Sequence, residues 1–407
     1  VGDLSKGEAE EVVGKRMVRR YDGKAGLSEE QMGMLLSRNG AGNPLWLSVA
    51  TEQINGFPSV EKAAQTLLQA PILGGLADDV LGMYDQVLER AERSRAGFAP
   101  REVVRSAISL LLCSVHGLLE TELLELLSET RRPKTYNSGN RDTGFSVATT
   151  TVAVWSAIYA DLEFCLGPLG VSSAGLLSFH HPQALQAAFQ RYAPSGDANL
   201  RLFRARIADV FEDCRWVLGP NRGAELFTVS DERRAVELPH QLLKMGGQER
   251  RLRCALSQPG MIQALCSEAD RAKLLEYWEA TGGFDDWIVP GSSCPALCIE
   301  SLCRTPHPTP EACVAVGCFL SDIGYLSQAS AVLREALHLC QPGPLGAGTV
   351  LLCIGRVLTK AASVHALPVL RGALKCLRAA SGDDADEALS AQDWYTVAQW
   401  LQAPVGK

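Results

Sequence analysis

Apolar residues recur at helical spacing along almost the whole chain, and the breaks between them carry the punctuation of helix ends. Ser28, followed three residues later by Gln31, has the form of a capping box and launches Met32, Met34, Leu35 and Leu36. Asn43-Pro44 opens the next helix, because Asn caps and Pro takes the first helical position, where its missing N–H costs nothing. Leu45, Trp46, Val49, Ala50 and Ile54 then fall on one face. Further helices are predicted over 60–69 and 78–93, the second with Val80, Leu81, Tyr84, Val87 and Leu88 on one side.

From Pro100 the pattern changes. A strongly apolar helix over 101–115 is broken at Gly117, and a second, short helix follows over 120–127. Residues 131–143 are polar and read as a surface loop, after which 152–166 restores a helix with Trp155, Ile158, Leu162 and Phe164. The segment 175–181 alternates enough for a strand, expected to be the only extended piece of the chain. Pro182 ends it and opens a helix over 183–192. Three helices followed by a strand and wing is the order of a winged-helix domain.

Beyond Pro194 helix follows helix. Gly317, Gly324, Ala329 and Ala336 occupy the small-residue positions of a tetratricopeptide-like repeat, where two antiparallel helices cross closely. Gly355, Ala366 and Ala373 form a weaker copy, shifted by one residue between its helices, whose Pro368 fits only a first helical turn. Two such units do not make a stable solenoid alone, so more repeats are expected downstream in a longer chain. The fold class is mostly α.

Composition narrows the function. At roughly 150 residues per domain, 407 residues make two or three domains. With 46% apolar and 21% charged residues the chain is no disordered scaffold. A net charge of −7 argues against a general binder of phosphate backbones. No run of eighteen apolar residues exists to span a bilayer. The chain opens Val-Gly-Asp, with neither an initiator Met nor a signal peptide, and reads as a piece of something longer. Thirteen cysteines with no Cys-x-x-Cys fit reduced, mostly buried thiols in a cytoplasmic protein.

Several phrases carry a family resemblance. The run Gly40 to Leu47, followed by Glu52, resembles the helical lid after a NACHT-type nucleotide-binding domain. Leu110 to Leu118 with Glu122, then Gly175 to His181 and Phe189 to Tyr192, resemble the start and end of the winged helix of that group. Glu237 to Leu242, then Gly246 and Glu276 to Trp278, resemble the helical connector into tetratricopeptide repeats. Together, over about 4–373, the chain is similar to nephrocystin-type and telomerase-associated-protein-type signal-transduction NTPases. The resemblance implies a helical lid at 1–98, a winged helix at 99–194 with a basic loop at 129–150, a connector at 195–305 and repeats at 306–407. It also implies a cytoplasmic or ciliary setting.

The departures matter as much. No phosphate-binding loop is present: Gly14-Lys15 and Gly23-Lys24 lack the upstream glycine and the following hydroxyl. The chain is therefore expected to be no enzyme, with no cofactor of its own. ADP or ATP would belong to the parent chain. In the second winged-helix helix, Leu119 stands where a capping Ser is usual, so that helix should start loosely.

What the resemblance implies for sites is specific. Gly42 and Pro44 would lie against the nucleotide base, and His180 would contact the diphosphate in a closed state. Against this, Pro44 also reads as a plain helix starter and the pair His180-His181 as a strand end. Cys294, Cys298, Cys303 and His307 invite a metal, but on a helix Cys303 falls opposite the first two, so packing is the better account and no metal site is assigned. Cys113 and His116 lie three apart on an apolar stripe, with no catalytic elbow around them. Arg131, Arg132, Lys134 and Arg141 make the basic loop, read as solvated rather than as a nucleic-acid surface. The function implied is the regulatory and protein-interaction portion of a NACHT-like NTPase, a nucleotide-dependent switch with a repeat scaffold. It would bind a protein partner through its repeats, with self-association as a further option and no membrane. The competing reading is a structural helical-repeat adaptor with no nucleotide role.

Overall fold

The computed structural model describes residues 3–18, 27–55, 75–93, 100–127, 152–168, 175–213, 215–217, 226–228, 230–267, 270–284, 293–340, 344–361 and 366–381. The helix expected over 60–69 and the basic loop lie outside these residues. The chain divides into two compact units, Val1–Val210 with Trp216–Leu226, and Phe211–Arg215 with Phe227–Lys407.

The first unit begins with α1 (Lys6–Val18), α2 (Glu29–Leu36), α3 (Pro44–Asn55) and α4 (Val80–Glu92). Both expected caps form. The Ser28 hydroxyl accepts from the Gln31 N–H at 3.2 Å while the Gln31 side chain accepts from the Ser28 N–H at 2.9 Å. Asn43 Oδ1 accepts from the N–H groups of Leu45 and Trp46. Trp46, Leu47, Val49, Ala50 and Ile54 of α3 are buried, as are Val80, Met83, Tyr84, Val87 and Leu88 of α4. Leu81 turns partly outward and Met83 takes its place in the core. The Trp46 indole donates to the Ala77 carbonyl at 2.8 Å, which ties the approach to α4 down onto α3.

Next come α5 (Pro100–Cys113), α6 (Glu120–Leu127), α7 (Val152–Leu162), β1 (Leu166–Pro168), β2 (Leu177–Phe179) and α8 (Pro182–Tyr192). The helix expected over 152–166 stops at Leu162, because the chain turns and pairs β1 antiparallel with β2, Leu166 opposite Phe179. Leu118 bridges the other edge of β2, exchanging both backbone hydrogen bonds with Leu177. Gly117, at φ 101°, makes the turn that brings Leu118 there, and a β-carbon on it would strike the Leu177 carbonyl. The start of α6 is firmer than expected. The nearly inaccessible Glu122 carboxylate accepts from the Leu119 N–H at 2.9 Å, so half of a capping box survives without the hydroxyl.

The chain then continues through α9 (Asp197–Asp213), β3 (Arg215–Val217), β4 (Leu226–Thr228), α10 (Asp231–Met245), α11 (Glu249–Leu256), α12 (Pro259–Leu265), α13 (Arg271–Ala280) and α14 (Cys294–Arg304). The β3–β4 pair overturns the expectation of a single extended segment near 175–181. Strands this short leave almost no period-2 pattern to read. In the second unit, buried Arg253 of α11 stacks on Trp278 and donates to the carbonyls of Thr281 and Gly283, at 3.2 and 2.9 Å, closing the end of α13.

The last four helices among the described residues are α15 (Pro310–Asp322), α16 (Leu326–Leu339), α17 (Pro344–Lys360) and α18 (Ala366–Ser381), which pack as two hairpins, α15 on α16 and α17 on α18. Each hairpin crosses at a glycine: a β-carbon at Gly317 would enter Leu333, and one at Gly355 would enter Leu370. Gly324 turns the first hairpin at φ 91°. Ala329, Ala336 and Ala373 are fully buried. The architecture is mostly helical, and no helix among the described residues is long and apolar enough to cross a membrane.

Candidate functional site

Pro44 starts α3 and lines an open groove of about 660 Å³ between α1 and α3. The other walls are Val12, Lys15 and Arg16 of α1 and Ser48, Glu52 and Asn55 of α3. Pro44, Ser48, Glu52 and Asn55 recur every three or four residues, so they form one stripe along a helix otherwise buried in the core. The groove is balanced in charge: Lys15 pairs with Glu11 at 2.5 Å and Arg16 reaches Glu52 at 3.9 Å. At its end Asn55 is almost wholly buried and its Oδ1 has no hydrogen-bond partner among the described residues. An acceptor left so is costly unless a donor reaches it.

Gly42 has a different place. Its carbonyl accepts from the Leu4 N–H at 2.8 Å, and a β-carbon on it would press on the Asp3 side chain at 3.3 Å. It docks the N-terminal segment on the entry to α3.

The two histidines part company. His181 is the N-cap of α8, and its Nδ1 accepts from the Gln183 N–H at 3.2 Å. His180 donates its backbone N–H to the Cys165 carbonyl at 3.0 Å and leaves its side chain exposed. The ring sits against Gly167 of β1, where a β-carbon would collide with it. Gly167, having no side chain, leaves room for this accessible imidazole beside the strand. His180 does not line the groove at Pro44.

An ionic hub connects α4 to α8 nearby. Arg191 makes two hydrogen bonds at 3.0 Å to the Glu92 carboxylate and one at 2.8 Å to Asp85, while the Tyr192 hydroxyl donates to Glu92 at 2.8 Å. Burial alone would push the Glu92 carboxyl up, but the hydrogen bonds from Arg191 and Tyr192, with the charges of Arg191 and Arg101, hold it below the ordinary carboxylate range. Deeper in, burial pushes the Tyr84 phenol, stacked on Phe164, up to about 12.

The other candidates do not converge. Cys113 ends α5 buried, its sulfur 3.7 Å from the Leu200 carbonyl, while His116 is exposed beyond the helix. Cys294 and Cys298 face one another in the core, and Cys303 is exposed. No group of three potential metal ligands comes together among the described residues. The sequence reading passed over Lys15, Arg16, Ser48, Asn55 and the hub. For the α3 stripe a signal existed, namely polar residues at helical spacing within an apolar helix.

The chain is 26% identical over 274 residues to Nephrocystin-3 of Homo sapiens, an alignment covering 64% of this chain and 17% of that protein. The likeness supports a distant relationship, and the chain spans well under two thirds of its relative. No protein-family model and no solved structure matches the chain.

Proposed function

We propose that this chain is the regulatory and protein-interaction portion of a NACHT-like signal-transduction NTPase, comprising a helical lid, a winged helix, a connector and tetratricopeptide-like repeats. The observation that carries the nucleotide part is the exposed His180 ring set against Gly167, beside a His181 already used as a helix cap. An imidazole at such a strand end can donate to a diphosphate oxygen. The groove at Pro44, with the unmatched Asn55 acceptor, offers a place for the donors of a nucleotide base. The interaction part draws support from the distant likeness to Nephrocystin-3 and from the stacked α15–α18 hairpins. Nucleotide exchange would release lid from winged helix and change what the repeats present to a protein partner.

Hydrolysis is assigned to no residue of these 407, since neither a phosphate-binding loop nor a metal ligand beside it occurs in them. Phosphate release above a buffer blank by the purified chain, surviving repurification, would sink that part.

The test of the switch is calorimetric titration of ADP and ATP into a longer chain carrying a phosphate-binding domain ahead of these residues. A hydrogen bond to a charged group contributes roughly 1.5–3 kcal/mol, so His180→Ala should weaken ADP binding about ten- to a hundredfold. ATP binding should barely change. Gly167→Ala, which displaces the ring without removing it, should mimic His180→Ala. Unchanged ADP affinity in both variants favours the alternative, a helical-repeat adaptor whose hairpins bind a protein partner with no nucleotide role.

A further inference from the structure

A polar cavity of about 500 Å³ opens within the second unit, walled by α10, the turn from α11 to α12, and α14. Arg234 of α10 lines it and is only 5% exposed. Its Nε donates to the Phe211 carbonyl at 3.1 Å, and its Nη1 donates to the side-chain oxygen of Gln258. Among the described residues Nη2 has no protein partner, and no carboxylate stands within ion-pair distance of the guanidinium. A charge this deeply buried carries a desolvation cost that two neutral oxygens offset only in part.

Asp231, three residues earlier on the same helix, also lines the cavity and does not pair with Arg234. The bonds to Phe211 and Gln258 fix the guanidinium, while the exposed Asp231 side chain lies against Gly260, where a β-carbon would meet its carboxylate. The other two charges on the wall serve each other: Arg304 of α14 donates to Glu300, one turn back, at 2.5 Å. One buried cation and one exposed anion are therefore left on the same cavity, each without a counter-ion among the described residues. A phosphate would satisfy Arg234 but meet Asp231 and Glu300. A ligand that carries both signs satisfies both.

We propose that this cavity recognises an extended segment of a protein partner, taking an Asp or Glu side chain at Arg234 and a Lys or Arg side chain, two residues along, at Asp231. Two of the five N–H groups of Arg234 are used inside the protein, and the remaining three suffice for a carboxylate. Residues three apart on a helix have β-carbons about 5–6 Å apart. Residues two apart in an extended segment leave the same face roughly 7 Å apart, so the spacings match. The site lies outside the α15–α18 hairpins and needs neither them nor a nucleotide.

Cys254 lines the cavity and Cys303 does not, and both thiols are exposed, so their alkylation supplies a reporter and its control. The 407-residue chain is treated with iodoacetamide in the presence of the peptide acetyl-Ala-Glu-Ala-Lys-Ala-amide, and both cysteines are quantified by mass spectrometry. Saturable slowing at Cys254 alone is expected, with the analogue carrying Gln for Glu needing about tenfold more peptide. The proposal is overturned by no slowing of Cys254 at about 10 mM peptide, by equal action of the Glu and Gln peptides, or by equal slowing of Cys303. Tighter binding of a peptide with phosphoserine for Glu also overturns it. Arg234→Met should abolish protection, but a buried Arg is a change that can unfold the chain, so exposed Asp231 carries the second test. Asp231→Asn should keep the preference for Glu over Gln and lose the preference for Lys over Gln at the peptide's fourth position. An unchanged preference for Lys overturns the two-point site.

Discussion

The α4–α8 junction of the first unit and the hairpin crossings of the second are made by opposite means. Between α4 and α8 the link is polar: Arg191, Glu92, Asp85 and Tyr192 meet in a place only partly open to water. Between α15 and α16, and again between α17 and α18, the link is the absence of a side chain, with Gly317 receiving Leu333 and Gly355 receiving Leu370. A polar hub suffers most when Arg191 or Glu92 is lost, because the charge that remains has lost its nearest partner. A glycine crossing tolerates no added atom, because the close-packed interior has no room for it. The first kind of joint can be opened by a ligand or a proton. The second can only be overpacked, and it suits a scaffold whose geometry must persist.

Removing a charge from the hub should have the largest effect. Arg191→Ala leaves the nearly buried Glu92 with the Tyr192 hydroxyl and the looser Arg101 contact at 3.7 Å, without its two guanidinium hydrogen bonds, and should cost about 3 kcal/mol in urea unfolding of the first unit. Arg191→Met combined with Glu92→Gln should recover most of that loss, because neither charge is then stranded. If the double variant loses as much as the sum of the singles, the hub is not a coupled unit and the contrast with the second unit fails.

The glycine crossings come next. Gly317→Val should cost about 2 kcal/mol by driving into Leu333, and Gly355→Val a similar amount. Gly33 of α2 supplies the control, since nothing lies within 4 Å of the β-carbon it would gain. There Gly→Ala should stabilise by about 0.5–1 kcal/mol through helix propensity alone. Thermal unfolding of the three variants checks the order, and equal losses at positions 33 and 317 would mean that the crossing is loose.

Acid separates the two units more gently. The Glu92 carboxyl is held below its usual 4.5 in the folded chain. Its contribution is therefore complete above that value and disappears as pH falls through the lower, folded one. Glu92→Gln should unfold at lower urea than wild type at neutral pH, and the gap should close towards pH 3. A gap independent of pH would assign the loss to packing. The glycine variants should show no such closure.

What could be read in advance follows the same division. The repeat glycines and alanines were legible because each hairpin closes within a few dozen residues and repeats its small positions. The caps at Ser28 and Asn43 were legible because capping is local chemistry. The hub was not, since Arg191 and Glu92 are 99 residues apart and each alone is an ordinary surface residue type. The strands β1, β3 and β4 were missed because three residues carry no usable period. Of the candidate site, Pro44 and His180 were picked out by resemblance, whereas the stripe of Ser48, Glu52 and Asn55 needed the partner helix α1 to become a groove.

The smallest effect tests the histidine pair. His181 and His180 are adjacent in sequence and identical in type, so only geometry separates them. His181 Nδ1 satisfies an N–H in the first turn of α8, and losing a helix cap costs about 0.5–2 kcal/mol, with an imidazole expected at the low end. His180 uses only its backbone N–H, and that bond to Cys165 survives truncation of the side chain. In thermal unfolding of the chain without nucleotide, His181→Ala should lower the first unit's midpoint by a degree or two at most, while His180→Ala should leave it in place. The order should invert for ADP affinity in the longer chain, where His180→Ala is the damaging change. A surface residue whose loss leaves stability untouched, beside a glycine that leaves its ring room, can meet a ligand without disturbing the fold. If His180→Ala destabilises as much as His181→Ala, the ring's packing on Gly167 is structural, and the nucleotide reading loses the observation that carries it.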